Sequence, residues 1–351
     1  MRQAFYRLGF IIVLMSMIVS HGYPAGAGFI TRPLSFQNLT AKEGLSSDMI
    51  FAIAARGHEI WFGAYAGGTT LYDRSKKTFQ VFTTKGEPQE KDDGVAIKWK
   101  NHPAYNDVTV ILPDKDRLWF GTYFYGFGGG GISYYHPKRK NPWRPFNTNN
   151  GVAKKIVSMA LDGDVLWVGS ERGISVLDKK TEKWQAFYSA KDGLSGNFVN
   201  ALLVQGDFLW AGTNGGITRL QKSGMKWKNY GQPEGLGDLE IKALARVGDR
   251  IWAGSSRGTL YEYDPPAEAW KKIEPADPLK DGGIYCLAAI QGKVFVCRDN
   301  GVSVYGISQN QWDALTTADG LPSNSVFCAT EDKDGVWFGT DQGASFLNWI
   351  P

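Results

Sequence analysis

Apolar and polar positions alternate in short bursts along most of the chain, and the bursts come in pairs. In Ile50-Phe-Ala-Ile-Ala-Ala-Arg-Gly-His-Glu-Ile-Trp-Phe-Gly-Ala64 two apolar runs flank the polar dipeptide Gly57-His58. Runs of this length, rich in β-branched and aromatic residues and bounded by Gly and Asp, predict strands joined by tight turns. No long helical period interrupts them.

The pairs repeat. Six segments share a Trp-x-Gly core: Trp61-Phe-Gly63, Trp119-Phe-Gly121, Trp167-Val-Gly169, Trp210-Ala-Gly212, Trp252-Ala-Gly254 and Trp337-Phe-Gly339. Phe295-Val-Cys297 is a seventh, degenerate copy. Successive spacings are 58, 48, 43, 42, 43 and 42 residues, and a period of 42–43 suits a four-stranded propeller blade. A second column lies 11 residues before each of those glycines: Ala52, Val110, Ser158, Ala201, Ala243, Cys286 and Cys328. Dipeptides such as Gly163-Asp164, Gly206-Asp207 and Gly248-Asp249 sit midway and mark two-residue hairpin turns. The columns therefore face each other across one hairpin, and small residues there imply close approach of neighbouring sheets near an axis. A third column, aromatic-x-x-apolar, marks an outer strand: Phe79 and Phe82, Trp143 and Phe146, Trp184 and Phe187, Trp227 and Tyr230, Trp270 and Ile273, Trp312 and Leu315.

The seventh block ends after its third strand. The missing outer strand is predicted to be Phe36-Gln-Asn-Leu39, whose surroundings, FQNLTAKEGL, match WDALTTADGL at 312–321. The expected fold is all-β: a seven-bladed β-propeller of four-stranded antiparallel blades, closed by the N-terminal strand completing the last blade. Closure hides a sheet edge that would otherwise pair with other chains.

The segments DGLPSNSVFCATEDKDGVWFGTDQGASFL (319–347), DGLSGNFVNALLVQGDFLWAGTNGGITRL (192–220), EGLSSDMIFAIAARGHEIWFGA (43–64) and EGLGDLEIKALARVGDRIWAGS (234–255) resemble the two-component regulator propeller repeat. The resemblance runs through the repeats of the whole mature chain. It implies a periplasmic sensing propeller of the kind found in membrane-bound histidine kinases. Here no kinase and no second hydrophobic stretch follow the repeats, so the expectation is a separate exported module rather than one that signals directly across a membrane.

Residues 1–27 read as a secretory signal peptide, with Arg2 and Arg7 near an apolar run from Leu8 to Val19 and the cleavage pattern Ala25-Gly26-Ala27. The propeller then occupies 28–351, and the protein is expected to be periplasmic or secreted, monomeric, and without a membrane span once the leader is removed. Loss of Arg2 and Arg7 leaves 37 basic against 35 acidic residues. That near-neutral balance predicts no nucleic-acid partner.

Of the 13 Trp, eleven fall in the repeat columns and belong to blade packing. The Asp/Glu-Gly-Leu motifs before most inner strands read as structural turns. Two insertions break the pattern. From Phe82 to Val108 the gap is 26 residues instead of 10–12, owing to a charged segment at about 85–107. From Trp119 to Ile132 it is 13 instead of 7, owing to a Gly-rich loop at about 122–131. Strand alternation puts both on one face, called the top, over the first two blades. The candidate ligand-binding residues are Tyr65, Trp99, His102, Tyr105, Tyr123, Phe124, Tyr125 and Phe127, with Lys98 and Lys100 nearby. Aromatics on loops of a rigid scaffold suit a glycan, peptide or protein ligand. The competing reading is that they fold down as a small private core.

Cys286 and Cys297 oppose each other, so a cross-strand disulfide is a candidate beside two buried free thiols. Three cysteines without a neighbouring histidine predict no metal site, and no cofactor motif occurs. His58 and His136 belong to the bottom face and His102 to the top, so no catalytic cluster of histidines is expected. The expected function is non-catalytic binding or sensing. A glycan-active or lyase-type propeller enzyme and a periplasmic assembly scaffold are the alternatives.

Overall fold

The first two strands of every blade pair in the register that the columns predict. Ala52 faces Gly63, Val110 faces Gly121, Ser158 faces Gly169 and Ala201 faces Gly212. Ala243 faces Gly254, Cys286 faces Cys297 and Cys328 faces Gly339. The glycines are needed because the next blade is close. A methyl added to Gly254 would stand 2.6 Å from Ile284 Cγ2, and one on Gly212 would stand 2.8 Å from Ile241 Cγ2, each on the neighbouring inner strand.

These contacts come from a computed structural model, which describes residues 29–84, 102–123, 130–146, 155–273 and 279–348. Among the described residues, 28 strands, numbered in chain order, form seven four-stranded antiparallel sheets. The first blade runs in order from β2 (Ile50–Arg56) through β3 (Glu59–Ala64) and β4 (Gly68–Asp73) to β5 (Thr78–Phe82). The next five repeat that order. The last blade consists of β26 (Val326–Asp332), β27 (Gly335–Thr340), β28 (Gly343–Asn348) and, at its outer edge, β1 (Ser35–Leu39). Phe36 pairs with Leu347 and Leu39 with Ala344. The N-terminal strand thus closes the ring as predicted. Just before it, Arg32 binds Asp313 at 3.0 Å and Asp319 at 2.8 Å, which ties the segment to blade 6 as well. No helix among the described residues is long and apolar enough to cross a membrane.

The core lies between blades. Seven clusters of buried side chains fill the seven gaps. Trp61 is representative: fully buried, stacked on Phe82 at 5.6 Å and packed against Tyr135 and Trp143 of blade 2. Burying such a ring contributes about 4–6 kcal/mol as an upper estimate. At the seam between the last and first blades the cluster joins Trp337, Leu39, Leu45, Ile50 and Ala344.

The Asp/Glu-Gly-Leu motifs are turns, and their carboxylates are occupied. Glu43 accepts from Thr40 N, Asp192 from Ser189 N, Glu234 from Gly231 N and Asp319 from Thr316 N. The following glycines, at positive φ, lie under outer-strand aromatics: Gly44 under Phe79, Gly193 under Trp227 and Gly320 under Phe36. Phe36 of the borrowed strand therefore fills the same place as the aromatics of the other blades.

Candidate functional site

Every inner strand is irregular at the same place. The register shifts between its first and third residues in all seven blades. The extra residues are Phe51, Thr109, Val157, Asn200, Lys242, Tyr285 and Phe327. A bulge re-aims the side chain it carries. Here seven bulges make one belt around the axis, at the top end where the chain enters each inner strand.

The belt has two halves. In blades 2 to 5 it carries no ring, and three of its four residues are polar, Val157 being the exception: Thr109 Oγ1 donates to Ile156 O at 2.6 Å, Asn200 Nδ2 donates to Ile241 O at 2.9 Å, and Lys242 pairs with Glu240 at 2.6 Å. In blades 6, 7 and 1 it is aromatic. Tyr285 meets Phe327 edge-on at 5.4 Å, and Phe327 lies 5.1 Å from Phe51. All three rings are half-buried. Tyr65, 39% exposed at the end of the first Trp-x-Gly strand, continues the row at 6.1 Å from Phe51. Four rings from three blades form a continuous arc at the top of the channel.

Tyr65 stands two residues after the glycine column, and the same position in the other blades holds Tyr123, Glu171, Asn214, Ser256, Asp299 and Asp341. The position is fixed by the backbone: Tyr65 N donates to Met49 O at 2.9 Å, Ser256 N to Glu240 O at 2.9 Å and Asp299 N to Gly283 O at 3.3 Å. Asp299 and Asp341 thus flank the aromatic half. Burial raises the Tyr285 phenol, and the negative charges of Asp299 and Asp341 raise it further. Among the described residues, Asp341 Oδ1 is buried without a hydrogen-bond partner.

The described ends of the two insertions, at Asp107 and Tyr123, lie beside each other. Ala66 N donates to Asp107 Oδ1 at 2.7 Å, and Tyr123 N donates to Asp107 O at 2.8 Å. Tyr65 is at the surface. His102, Tyr105 and Tyr123 are not: they are 4%, 8% and 3% exposed. Tyr123 was expected in a loop but ends strand β7 (Arg117–Tyr123), paired with Gly130 at the start of β8 (Gly130–Tyr135). The lengthened hairpin carries its ring against Lys155, whose Nζ is 5.4 Å from the ring centroid. His102 turns back on its own chain, with Nδ1 2.7 Å from Pro103 O. These three residues are buried, while Tyr65 is exposed. Trp99, Phe124, Tyr125 and Phe127, with Lys98 and Lys100, lie outside the described residues, as does the expected leader 1–27.

Cys286 and Cys297 face each other, but both are free thiols, as is Cys328. Of the two readings the sequence left open, free thiols are the one found; hydrogen bonding to Cys297 lowers the Cys286 thiol, and burial raises that of Cys297. His136 pairs with Asp116 at 2.9 Å and His58 with Asp73 at 3.8 Å, both in bottom-face turns. No group of three metal-ligating side chains occurs among the described residues. A cavity of about 400 Å³ opens over blade 5, lined by Asp238, Arg257, Thr259 and Tyr261, away from the arc.

Residues 320–342 match the family described as Two component regulator propeller. The chain carries a two-component regulator propeller repeat. The matched repeat is the top-face part of blade 7 together with its first hairpin, and it contains Phe327 and Asp341. Its columns recur in the other blades, as the registers show. Among solved structures the chain is similar to the extracellular domain of a protein described as a hybrid two-component system of B. thetaiotaomicron, at 18% identity and TM-score 0.72 over 91% of this chain. It is also similar to the extracellular domain of one described as a one-component system of the same organism, at 21% identity and TM-score 0.70 over 90% of this chain. The match covers only 42% and 40% of those two chains. Virginiamycin B lyase from Staphylococcus aureus is similar at 13% identity and TM-score 0.65, over 90% of this chain and 99% of that one. At these identities the likeness is one of fold. No curated protein matches the chain.

Proposed function

We propose that this protein is an exported, non-catalytic, sensor-type propeller that binds a ligand on its top face, at the aromatic arc of Tyr65, Phe51, Phe327 and Tyr285. The arc itself carries the reading. Four rings drawn from three blades stand together at one end of the axis, half-buried or exposed, where blade packing does not require them. Exposed aromatic surface on a rigid scaffold favours association. The repeat in blade 7 and the likeness to extracellular domains of signalling proteins support a sensing role. A glycan, peptide or protein is the ligand class proposed, with Trp99, Phe124, Tyr125 and Phe127 kept as further ligand contacts on the grounds of sequence.

The test is a pull-down from periplasmic extract together with a glycan array, comparing wild type with Phe51→Ala/Phe327→Ala and with Trp99→Ala/Tyr125→Ala. The first variant is expected to fold and to lose its bound partner. Equal capture by wild type and that variant would remove the arc from consideration.

One observation favours a glycan-active enzyme as a second reading: two carboxylates, Asp299 and Asp341, share the surroundings of Tyr285. Paired carboxylates serve glycoside chemistry when one is protonated and the other ionised. Release of product from a glycan by wild type, abolished in Asp299→Asn, would establish it.

A further inference from the structure

The charges around the belt are distributed unevenly. On the polar half each cation has its carboxylate: Lys242 with Glu240 at 2.6 Å and Lys155 with Glu171 at 3.0 Å. On the aromatic half the sequence places no Lys or Arg at either tier, only Phe51, Tyr65, Tyr285, Asp299, Phe327 and Asp341. Among the described residues neither Asp299 nor Asp341 enters a salt bridge, and Asp341 Oδ1 has no hydrogen-bond partner. Arg298, next to Asp299, is fully buried and donates to Gly282 O at 2.6 Å, Gly258 O at 3.2 Å and Ser303 Oγ at 3.1 Å. These bonds hold the guanidinium against the loops of blades 5 and 6 and strand β24 (Gly301–Gly306), and its charge lowers the Asp299 carboxyl against the larger upward push of burial; Asp341 is left without a comparable cation among the described residues.

Asp341 is to Phe327, and Asp299 to Tyr285, what Tyr65 is to Phe51 by position in the blade. Two anionic groups therefore replace the tyrosine at two of the three steps of the arc. Aromatic faces attract cations through the ring quadrupole. Flanking carboxylates add charge-assisted hydrogen bonds. A planar guanidinium uses both at once, stacking on a ring while its fork meets a carboxylate. A neutral sugar would use the rings and leave the charge uncompensated. Three of the rings are half-buried and the fourth, Tyr65, is exposed, so ring faces and a carboxylate are both within reach of one side chain.

We infer that the occupant of the arc is the guanidinium of an arginine side chain carried by a peptide, held by Phe51, Phe327 and Tyr285 with Asp299 and Asp341 as counter-ions. This rests on the reading that the arc is the binding site. The full chain is titrated calorimetrically with acetyl-Gly-Arg-Gly-amide, with the same peptide bearing Gln for Arg, and with a neutral maltotetraose. The arginine peptide binds, and raising salt from about 0.05 to 0.5 M weakens it, because the pairing is ionic. Asp299→Asn/Asp341→Asn loses at least about ten-fold in affinity, equivalent to about 1.4 kcal/mol, while melting at the wild-type temperature. No binding of the arginine peptide by wild type, or equal binding of the arginine and glutamine peptides, overturns the inference. So does unchanged affinity in the double Asn variant. If maltotetraose binds instead and Phe51→Ala/Phe327→Ala abolishes it, the arc stands as the site and only the cation falls. If both alanines leave every ligand unaffected, the site reading falls with it.

Discussion

The ring of Phe51 stands 5.1 Å from that of Phe327, across the seam where the beginning of the chain meets its end. Phe327 belongs to the blade that β1 completes, and Phe51 to the next. The arc is therefore built across the one inter-blade gap that depends on an N-terminal strand. Whatever loosens the seam should loosen the arc.

Leu39 is the residue of the closing strand most committed to that gap, buried beside Ile50, Trp337 and Ala344. Leu39→Ala should lower stability by about 2–5 kcal/mol. Urea denaturation followed by tryptophan fluorescence measures it. A change within error would mean that β1 contributes an edge and not a core.

The bottom of the same seam is held by Asp332. Its carboxylate accepts from Trp337 Nε1 at 3.0 Å within the blade and meets Arg74 of blade 1 at 2.7 Å. The arrangement recurs: Asp114 joins Trp119 to Lys179, and Asp162 joins Trp167 to Lys222. Asp332→Ala leaves the indole N–H without its acceptor and the Arg74 guanidinium without its counter-ion, with only Gly57 O among the described residues still accepting from it, and should destabilise by about 3 kcal/mol. Asp332→Asn retains an acceptor for the indole and should cost less. Thermal melts of the two variants side by side decide it; equal losses would assign the whole effect to the ion pair.

Glycine at 254 is a matter of space, since its backbone is ordinary strand. A methyl there collides with Ile284 of the next inner strand. Gly254→Ala should cost about 1–3 kcal/mol through overpacking. Gly254→Ala/Ile284→Val, which removes Cδ1, the second-nearest atom at 3.1 Å, and keeps the nearer Cγ2, should recover a small part of the loss in the same denaturation assay. An unimproved double variant would place the strain elsewhere.

Asp107 supplies a pH signature. Burial raises its carboxyl although Ala66 N–H donates to it. A raised acid binds its proton more tightly in the folded state, so ionising it opposes folding. Its contribution to stability declines as pH rises from the unfolded value of about 3.9 through the higher folded value. Asp107→Asn keeps an oxygen for Ala66 N–H and removes the charge. Its melting temperature should exceed that of wild type near neutral pH, with the difference shrinking toward about pH 4. Parallel melting profiles across that range would contradict the assignment.

The amino-acid pattern alone determined the blade count, the Cys286–Cys297 and Gly63–Ala52 registers and the strand borrowed from residues 35–39. These follow from local rules: a two-residue turn sets a hairpin register, and a glycine column reports the nearest backbone. The arc was not legible in the same way. Phe51, Tyr285 and Phe327 sit in apolar strands of three separate blades, where each passes for core. Only the bulge, which shifts the side-chain parity of every inner strand at one level, and the closure of the ring bring them together. The same limit explains Tyr105 and Tyr123, aromatics in Gly-rich or charged surroundings that pattern alone could place either outside or inside. Tertiary structure buried them where the end of β7 and the end of the first insertion meet at Asp107, which bonds to Ala66 and Tyr123, and apolar area removed from water favours that arrangement.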